Sequence, residues 1–493
     1  MLAKWRTASR DELIAELERQ ERELERQRRE IERLRREHER ADRDRNRYRR
    51  DRVTLRKKID RLEDDLDKAR RALHRQAAPF SRGTPRRPPR RPGRKPGAAY
   101  GRKAHRAMPT HVDEHYDAPL PATCPDCGGA LALTGHATQH QEDLPIVRPI
   151  VRAFHIAIGH CTACQRRVQG RHPLQTSDAL GAASTQLGPM AVTWAVILNK
   201  QFGVPLGKIA RLFRERFGLS ITCGGLVHAI RRAARQAEST YDALCAQIRG
   251  SPVVTPDETG WKVAARLHWL WAFVTPDTTV YRILRGRGFE EAATVLGADF
   301  RGVLVRDGWA PYRRFDQAFH QTCLAHLLRR CRTLMGDHHD AHFAPQVQRV
   351  LQHALRVRDR YLNRQISTHG VAVARGHLQN QLNAFIDRPG RRRVAQNFAA
   401  HLAIEFPAIF TFLLEPAAID ATNWRAEHAL RPAVVTRKVC GGNRSLRGAH
   451  TQEVLASVLR TIQQRDLDAA AILPALLRTP QPMTALAPPP TVQ

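Results

Sequence analysis

Three carboxylates in this chain stand where a pair of divalent cations could be held. Asp257 ends the first apolar strand predicted after residue 250 (VVTPDETG), and Asp307 ends a later one (VLVRDG). Glu427 lies on a predicted helix in NWRAEHALRP. Carboxylates at strand ends, joined by a third on a neighbouring helix, can hold two ions about 3.5–4 Å apart. Such a pair activates the attacking oxygen and stabilises the leaving oxygen of an in-line phosphoryl transfer. Hard oxygen ligands suit Mg²⁺ or Mn²⁺. Without cations three crowded acids would repel, so the ions would also hold the site together. Spacing alone is weak evidence, because 48 acidic residues offer many triplets, with Glu258, Asp277 and Asp316 close by. Glu258 would point to the opposite face of a continuing strand, which ranks it behind Asp257.

A second constellation is built from sulfur. Cys124-Pro-Asp-Cys127 and Cys161-Thr-Ala-Cys164 are two CxxC pairs, the first followed by Gly128 and Gly129. Two such knuckles supply the four thiolates that structural Zn²⁺ prefers. Nine cysteines in 493 residues make no disulfide framework. The stretch PIVRPIVRAFHIAIGHC reads as a β-hairpin arm that delivers the second knuckle. His136, His140, His155 and His160 read as ordinary surface or strand histidines rather than substitute ligands. Cys323 and His326 form one pair on one short helix, too few for a metal, and read as packing beside the carboxylates.

These residues must be carried by elements of several kinds. Residues 1–76 read as a coiled coil. Leu17, Leu24, Ile31, Ile59, Leu66 and Leu73 share one heptad position, and Leu13, Leu34, Leu55 and Leu62 the complementary one. His38, Arg45 and Arg52 weaken the middle of that seam. Residues 77–106 read as an extended basic linker, with Arg90, Arg91, Arg94 and Lys95 as candidate DNA contacts. Residues 107–180 hold the zinc-ribbon-like module. Residues 181–250 read as helix, a turn at Gly218, and helix, the layout of a helix-turn-helix or of a plain helical hairpin. Arg231, Arg232 and Arg235 lie along its second helix. Residues 251–465 alternate strand and helix, with a helical insertion at about 336–415, and residues 466–493 form a C-terminal tail that is Pro-rich and expected to lack regular structure from Thr479. The expected fold is thus multidomain, α+β with an α/β sheet.

Composition narrows the class of partner. The net charge is +33, which excludes an acidic solvating protein and makes a polyanion the first partner to consider. The basic linker carries ten of those charges in 30 residues and no acid. No apolar run is long enough to span a membrane and the N-terminus shows no apolar leader, so a cytoplasmic, DNA-associated protein is expected.

Ordered motifs then carry a resemblance. The leucine-zipper helix, GRKPG, CPDCGGAL with CTAC, DETGWKV with HWLWAFVT, VLVRDGWAPY, CLAHLLRRC and NWRAEHALRPAVVTRKVCGGNRSLRGA follow one another along the chain. In that order they resemble the DDE transposases of the insertion-sequence IS-sixty-six family, nearly end to end. The resemblance implies an RNase H-like catalytic domain, with Asp257, Asp307 and Glu427 as the Mg²⁺-binding triad and Cys124, Cys127, Cys161 and Cys164 on Zn²⁺. Arg425, Arg437, Lys438 and Arg444 become candidate phosphate contacts, and Gly441-Gly442 a place for close backbone approach to DNA. The basic residue that many DDE families carry seven positions after the Glu is Val434 here, so that contact is not assigned.

The expected activity is transposition: binding of terminal repeats, metal-dependent phosphodiester hydrolysis, and strand transfer into target DNA. Expected partners are double-stranded DNA, a second protomer through the coiled coil, and small accessory transposition proteins. The alternative is a zinc-containing DNA-binding protein without catalysis, either a regulator or an inactivated relative.

Overall fold

The computed structural model describes residues 9–74, 108–176, 186–337, 340–390, 393–478, 483 and 486. The basic linker with Arg90, Arg91, Arg94 and Lys95 lies outside the described residues. The chain divides into two units, Met1–Gly135 and His136–Gln493.

In the first unit one helix, α1, runs Arg10–His74. Ser9 and Glu12 form a capping box: each side chain accepts from the other's backbone N–H. Exposed ion pairs such as Arg29–Glu25 and Arg36–Glu32 line its surface at i,i+4 spacing. The seam residues Leu17, Leu24, Ile31 and Leu34 are exposed.

The second unit begins with a hairpin of β1 (Ile158–His160) and β2 (Arg167–Gln169), paired antiparallel. The expected longer arm reduces to this: residues 145–157 form no regular element. Pro145 and Pro149 interrupt that stretch and cannot donate to a strand ladder.

A helical layer follows: α2 (Pro189–Val196), a π-helical turn (Ile197–Gln201), α3 (Leu206–Phe217), α4 (Cys223–Gln236) and α5 (Glu238–Gly250). Gly218 ends α3 in the left-handed region at φ 65°, and Thr222 caps α4 by accepting from Gly225 N. Apolar residues at helical spacing (Ile209 and Phe213 on α3, Leu226, Ala229, Ile230 and Ala233 on α4) bury the hairpin's inner face.

The sheet has five strands in the order β5-β4-β3-β6-β7. β3 (Val253–Val263), β4 (Arg266–Val274) and β5 (Thr279–Leu284) form an antiparallel meander. After α6 (Phe289–Leu296), β6 (Val303–Arg306) lies parallel to β3. A 3₁₀ turn (Ala310–Arg314) then leads to β7 (Phe319–Thr322), parallel to β6. The sequence reading did not anticipate β7. Four helices follow: α7 (Leu324–Asp337), α8 (Phe343–Leu362), α9 (Thr368–Ile386) and α10 (Arg393–Ile409). The chain closes with α11 (Trp424–Cys440), α12 (Leu446–Gln464) and α13 (Ala469–Leu476).

Alternation along β3 assigns its two faces. Val254 joins Trp271, Phe273, Val280 and Leu304 in a core shared with the helical layer and α12. Trp261 and Val263 join Leu270, Ala272 and Val274 in a core on the opposite face, closed by Ala426, Ala429 and Leu430 of α11. The inserted helices α7–α10 pack a third core that takes in Val253, Val303 and Val305 from this same face. Edge strand β5 is covered by α12: Glu453 Oε1, Ser457 Oγ and Thr461 Oγ1, spaced four apart, accept from the N–H groups of Ile283, Tyr281 and Thr279. That leaves those groups no partner strand to recruit. The tail departs from expectation, because Met483 and Leu486 pack on the first core. Among the described residues no helix is long and apolar enough to cross a membrane.

Candidate active site

The parallel pairing of β3 with β6 puts two of the carboxylates side by side. Val253 pairs with Val303 and Val254 with Leu304. Asp257 and Asp307 each lie four residues beyond the first pair, past the two paired positions, and they are close enough that Asp307 acts on the Asp257 carboxyl. Asp257 is not at a strand end as expected, since β3 runs on to Val263 against β4. It stands where parallel pairing has ended. Asp307 follows the last residue of β6.

The third carboxylate arrives from above the sheet. Ala426, Ala429 and Leu430 seat α11 on the sheet, which brings Glu427 in the first helical turn over the seam between α11 and the inserted helices. Asp257 feels all its acidic neighbours. Burial first, then Glu258, Asp307 and Glu427, push its carboxyl up to about 8, although the N–H of Glu258 opposes this. A carboxyl so raised is relieved by a cation.

Buried atoms beside Glu427 also lack partners. Asn423 is 1% exposed, and neither its Oδ1 nor its Nδ2 is hydrogen-bonded. His326 Nδ1 is buried and unpaired, while its Nε2 lies 3.8 Å from Glu427 Oε1. Cys323 is fully buried, and its sulfur accepts from Asn423 N at 3.3 Å. Orphaned polar atoms at this depth are costly unless a ligand or its water shell completes them. Among the described residues, no group of three or more His, Cys, Asp or Glu is already arranged as a metal cage. The donor set fits Mg²⁺ in its chemistry, since all three acids supply oxygen and Mg²⁺ keeps several waters of its own.

Glu258 takes the opposite face. Arg287 Nε donates to its Oε1 at 2.5 Å and Tyr312 Oη to its Oε2 at 2.6 Å. Burial raises its pKa, and these two partners offset the rise in part. Arg287 is held between the rings of Trp269 and Trp309, at 4.8 and 4.1 Å. Trp309 N in turn donates to Asp307 Oδ1 at 2.9 Å. The carboxylate Asp307 is therefore fixed by a cage rooted on the far face. Sequence reasoning missed Arg287, Trp309 and Tyr312; the aromatic-rich DGWAPY after the strand is the trace of the last two.

Below Asp307 lies a buried charge network. Arg306 Nη1 donates to the Asp307 carbonyl at 2.9 Å and to Glu405 Oε2 at 2.6 Å. Thr322 Oγ1 and Arg313 Nη1 complete Glu405. Burial pushes the Glu405 pKa up, but Arg306 and the hydrogen bonds outweigh it and hold the net value low.

The candidate DNA contacts are distributed unevenly. Arg425 is committed to Asp420, which also takes Arg358. Arg437 is tied to the Gly260 carbonyl and to Thr259 Oγ1 on β3. Lys438 and Arg444 are exposed, as is Arg235. Arg231 and Arg232 are half-buried, with Arg232 donating to Gln186. The glycine pair serves the protein rather than an open loop. Gly442 has φ 115°, and a Cβ there would strike the Lys262 carbonyl. Asn443 N donates to that carbonyl, and Trp261 Nε1 donates to Asn443 Oδ1.

The two CxxC knuckles are folded alike, each within its own unit. Cys124 N donates to Gly129 O and accepts at its own carbonyl from Gly128 N. Cys161 repeats this with Arg166 O and Gln165 N. Gly128 and Gln165 both have positive φ, 72° and 56°. Backbone N–H groups within each knuckle, from Asp126 and Cys127 in one and Cys164 and Ala163 in the other, lower the thiol pKa of Cys124 and Cys161. That favours the thiolate form that metals bind.

Comparison with known proteins bears on this geometry. A family model described as the transposase IS66 family matches residues 184–451, a span that includes Asp257, Asp307 and Glu427 but neither knuckle. The uncharacterized protein y4jD of Sinorhizobium fredii is 25% identical, over 75% of this chain and 77% of its own length.

Proposed function

Since this chain belongs to the IS66 family of transposases, we propose that it is a DNA transposase whose chemistry runs at Asp257, Asp307 and Glu427. The observation that carries this reading is the convergence of the three carboxylates: Asp307, just past β6, and Glu427, in the first turn of α11, both act on the Asp257 carboxyl on the neighbouring strand. The three carboxylates would hold Mg²⁺ or Mn²⁺ in an RNase H-like domain spanning 251–465. When bound, the ions supply activation of the attacking oxygen and charge stabilisation of the leaving one.

The chain's own residues do the positioning. The Trp309 N–H and the Arg306–Glu405 pair fix Asp307 from two sides. Arg287 and Tyr312 hold Glu258 on the far face. Water attacks phosphorus at the element end, and the P–O3′ bond breaks to leave a 3′-OH. That 3′ oxygen then attacks a target phosphodiester, loses its proton to solvent, and displaces the target's own 3′ oxygen. No covalent bond to protein is needed.

The other segments serve DNA capture. The coiled coil of residues 1–76, whose leucine seam is exposed over Leu17–Leu34, would join two protomers so that two DNA ends are handled together. The linker 77–106, the helical region 181–250 and the exposed Lys438 and Arg444 would contact phosphates. Cys124, Cys127, Cys161 and Cys164 would share one structural Zn²⁺ in the module 107–180, and small accessory proteins would assist.

Cleavage and joining of DNA carrying the element's ends, in Mg²⁺ and with accessory proteins supplied, tests the enzyme. Wild type should cut and join, while Asp307→Asn should bind without cutting. Wild type that binds and never cuts would leave only the non-catalytic reading. Zinc content tests the knuckles: a Cys124→Ser, Cys161→Ser protein that keeps its zinc removes that assignment.

A further inference from the structure

A cleft between the π-helical turn at 197–201, α11 and α12 carries cations and, among the described residues, no acid. It encloses about 280 Å³ and is walled by Lys200, His428, Arg460, Gln452, Tyr281 and Phe202. A shallower continuation runs along α11 past Arg431. Among the described residues, neither part is lined by Asp or Glu.

The cations inside are incompletely answered. Lys200 Nζ donates to Gln452 Oε1 at 2.9 Å, an uncharged partner. Arg460 gives Nη2 to His428 Nδ1 and Nη1 to Gln463 Oε1, both at 2.8 Å, and its Nε is buried without a partner. Burial lowers the Lys200 pKa to about 8, so the ammonium is held in a poorly solvated place. Lys200 and the Nε of Arg460 are withdrawn from water while the two Nη groups of Arg460 face the open side, and with no acid among the described lining residues the pair favours an anionic ligand.

The wall is built for close packing. Gly203 has φ 68°, and a Cβ on it would come within 2.8 Å of Thr436 Oγ1, so the turn and α11 are pressed together. A π-helical turn is itself uncommon and tends to mark functional ground. Arg431 lies one helical turn beyond Glu427 on α11, so the shallow arm starts on the side of the helix that carries the carboxylate. Phe202 is 63% exposed at the cleft and offers its ring to solvent.

We propose that this cleft is a subsite for a phosphate of the DNA strand that continues from the one held at Asp257, Asp307 and Glu427, with the adjoining base against Phe202. The proposal rests on the transposase reading. Arg431 would pass the backbone from Glu427 to the cleft, Lys200 and Arg460 would meet its phosphate, and Phe202 would provide the sequence-tolerant stacking surface that single strands use. Inorganic phosphate has the same anionic chemistry but lacks the base and the tether.

The test uses full-length Asp307→Asn protein and a fluorescent duplex with a single-stranded extension, titrated by anisotropy across a range of salt. Lys200→Gln and Arg460→Gln are added to that background, with thermal melts confirming that each folds. One lost phosphate contact on a single strand lowers the salt slope by about 0.7, which amounts to about a fivefold weaker affinity at about 0.1 M salt. Lys200→Arg should restore most of the slope. Inorganic phosphate alone, at millimolar concentration, should leave the melting point of the parent unchanged; a rise that Lys200→Gln and Arg460→Gln abolish would assign the cleft to free phosphate and overturn the choice of a DNA strand. Folded Gln variants with unchanged affinity and slope would overturn the subsite while leaving the enzyme reading standing. A parent protein that binds no DNA would end both.

Discussion

Replacing Glu405 by Ala should unfold this protein's second unit more readily than any surface change. Glu405 is fully buried on α10 and Arg306 is 2% exposed on β6. Their oxygen and nitrogen lie 2.6 Å apart, with Thr322 Oγ1 at 2.5 Å and Arg313 Nη1 at 2.8 Å on the same carboxylate. Without the acid, Arg306 keeps its charge in the interior and has only His320, Thr322 and the Asp307 carbonyl as partners. Stripping one member from a buried ion pair costs about 3–5 kcal/mol. At roughly 2 °C per kcal/mol for a large domain, the melting point should drop by about 6–10 °C. The double substitution Arg306→Met, Glu405→Leu removes both charges and should recover most of that loss, because the desolvation cost vanishes with the pair. It should not recover DNA cleavage, since the Arg306 bond to the Asp307 carbonyl is gone. Urea unfolding followed by tryptophan fluorescence reads the stability. A single variant that loses less than about 1 kcal/mol, or a double variant as unstable as the single, would refute the reasoning.

Three further outcomes follow from the same geometry. Asp257→Asn should raise the melting point of the metal-free protein, because it replaces a carboxyl that burial and three neighbouring acids push up to about 8, and it should abolish any further rise on adding Mg²⁺; unchanged Mg²⁺ stabilisation would remove Asp257 from the ion site. Gly442→Ala should cost at least about 2 kcal/mol from left-handed strain and a backbone collision, seen as a lower urea midpoint, whereas Gly135→Ala, where a Cβ meets nothing, should be neutral. The Glu453 bond, then Glu238, raise the pKa of His450, so its contribution to stability is present below about 6.5 and is lost as pH rises through the raised folded value; melting curves of His450→Gln should lack this slope, and an equal slope in both proteins would assign it elsewhere.

Much of the architecture was legible because it is written in local patterns. Gly218 could be placed at a helix C-terminus because only a left-handed residue ends α3 that way. The strands of 253–284 announced themselves by β-branched and aromatic alternation, and the helices of 343–409 by their apolar spacing. Other features were not legible. β7 is four residues long and polar at three positions, Phe-His-Gln-Thr, so no alternation marks it. The hairpin arm before Cys161 looked apolar enough for strands, but Pro145 and Pro149 deny it a ladder. The tail looked like solvent, yet Leu486 is 2% exposed because a core hydrophobe far along the chain awaits it.

By itself the sequence determined which groups could do the chemistry: three carboxylates in their motifs, two CxxC pairs, and an excess of positive charge with its densest run in one linker. It also determined helix and strand types where periodicity was strong. Only the tertiary structure decided which acids meet. The packing of β3 beside β6 brings Asp307 close enough to act on Asp257, and Glu258 turns to Arg287 and Tyr312 on the other face. It also decided which cations are spent inside the protein, as Arg425, Arg437 and Arg306 are, and which face a cleft with no acid to answer them, as Lys200 and Arg460 do. The reason is physical: residue type and spacing act through neighbours within a turn or a strand, whereas charge pairing and burial depend on contacts between residues a hundred positions apart. Those contacts exist only once the sheet and the inserted helices have packed.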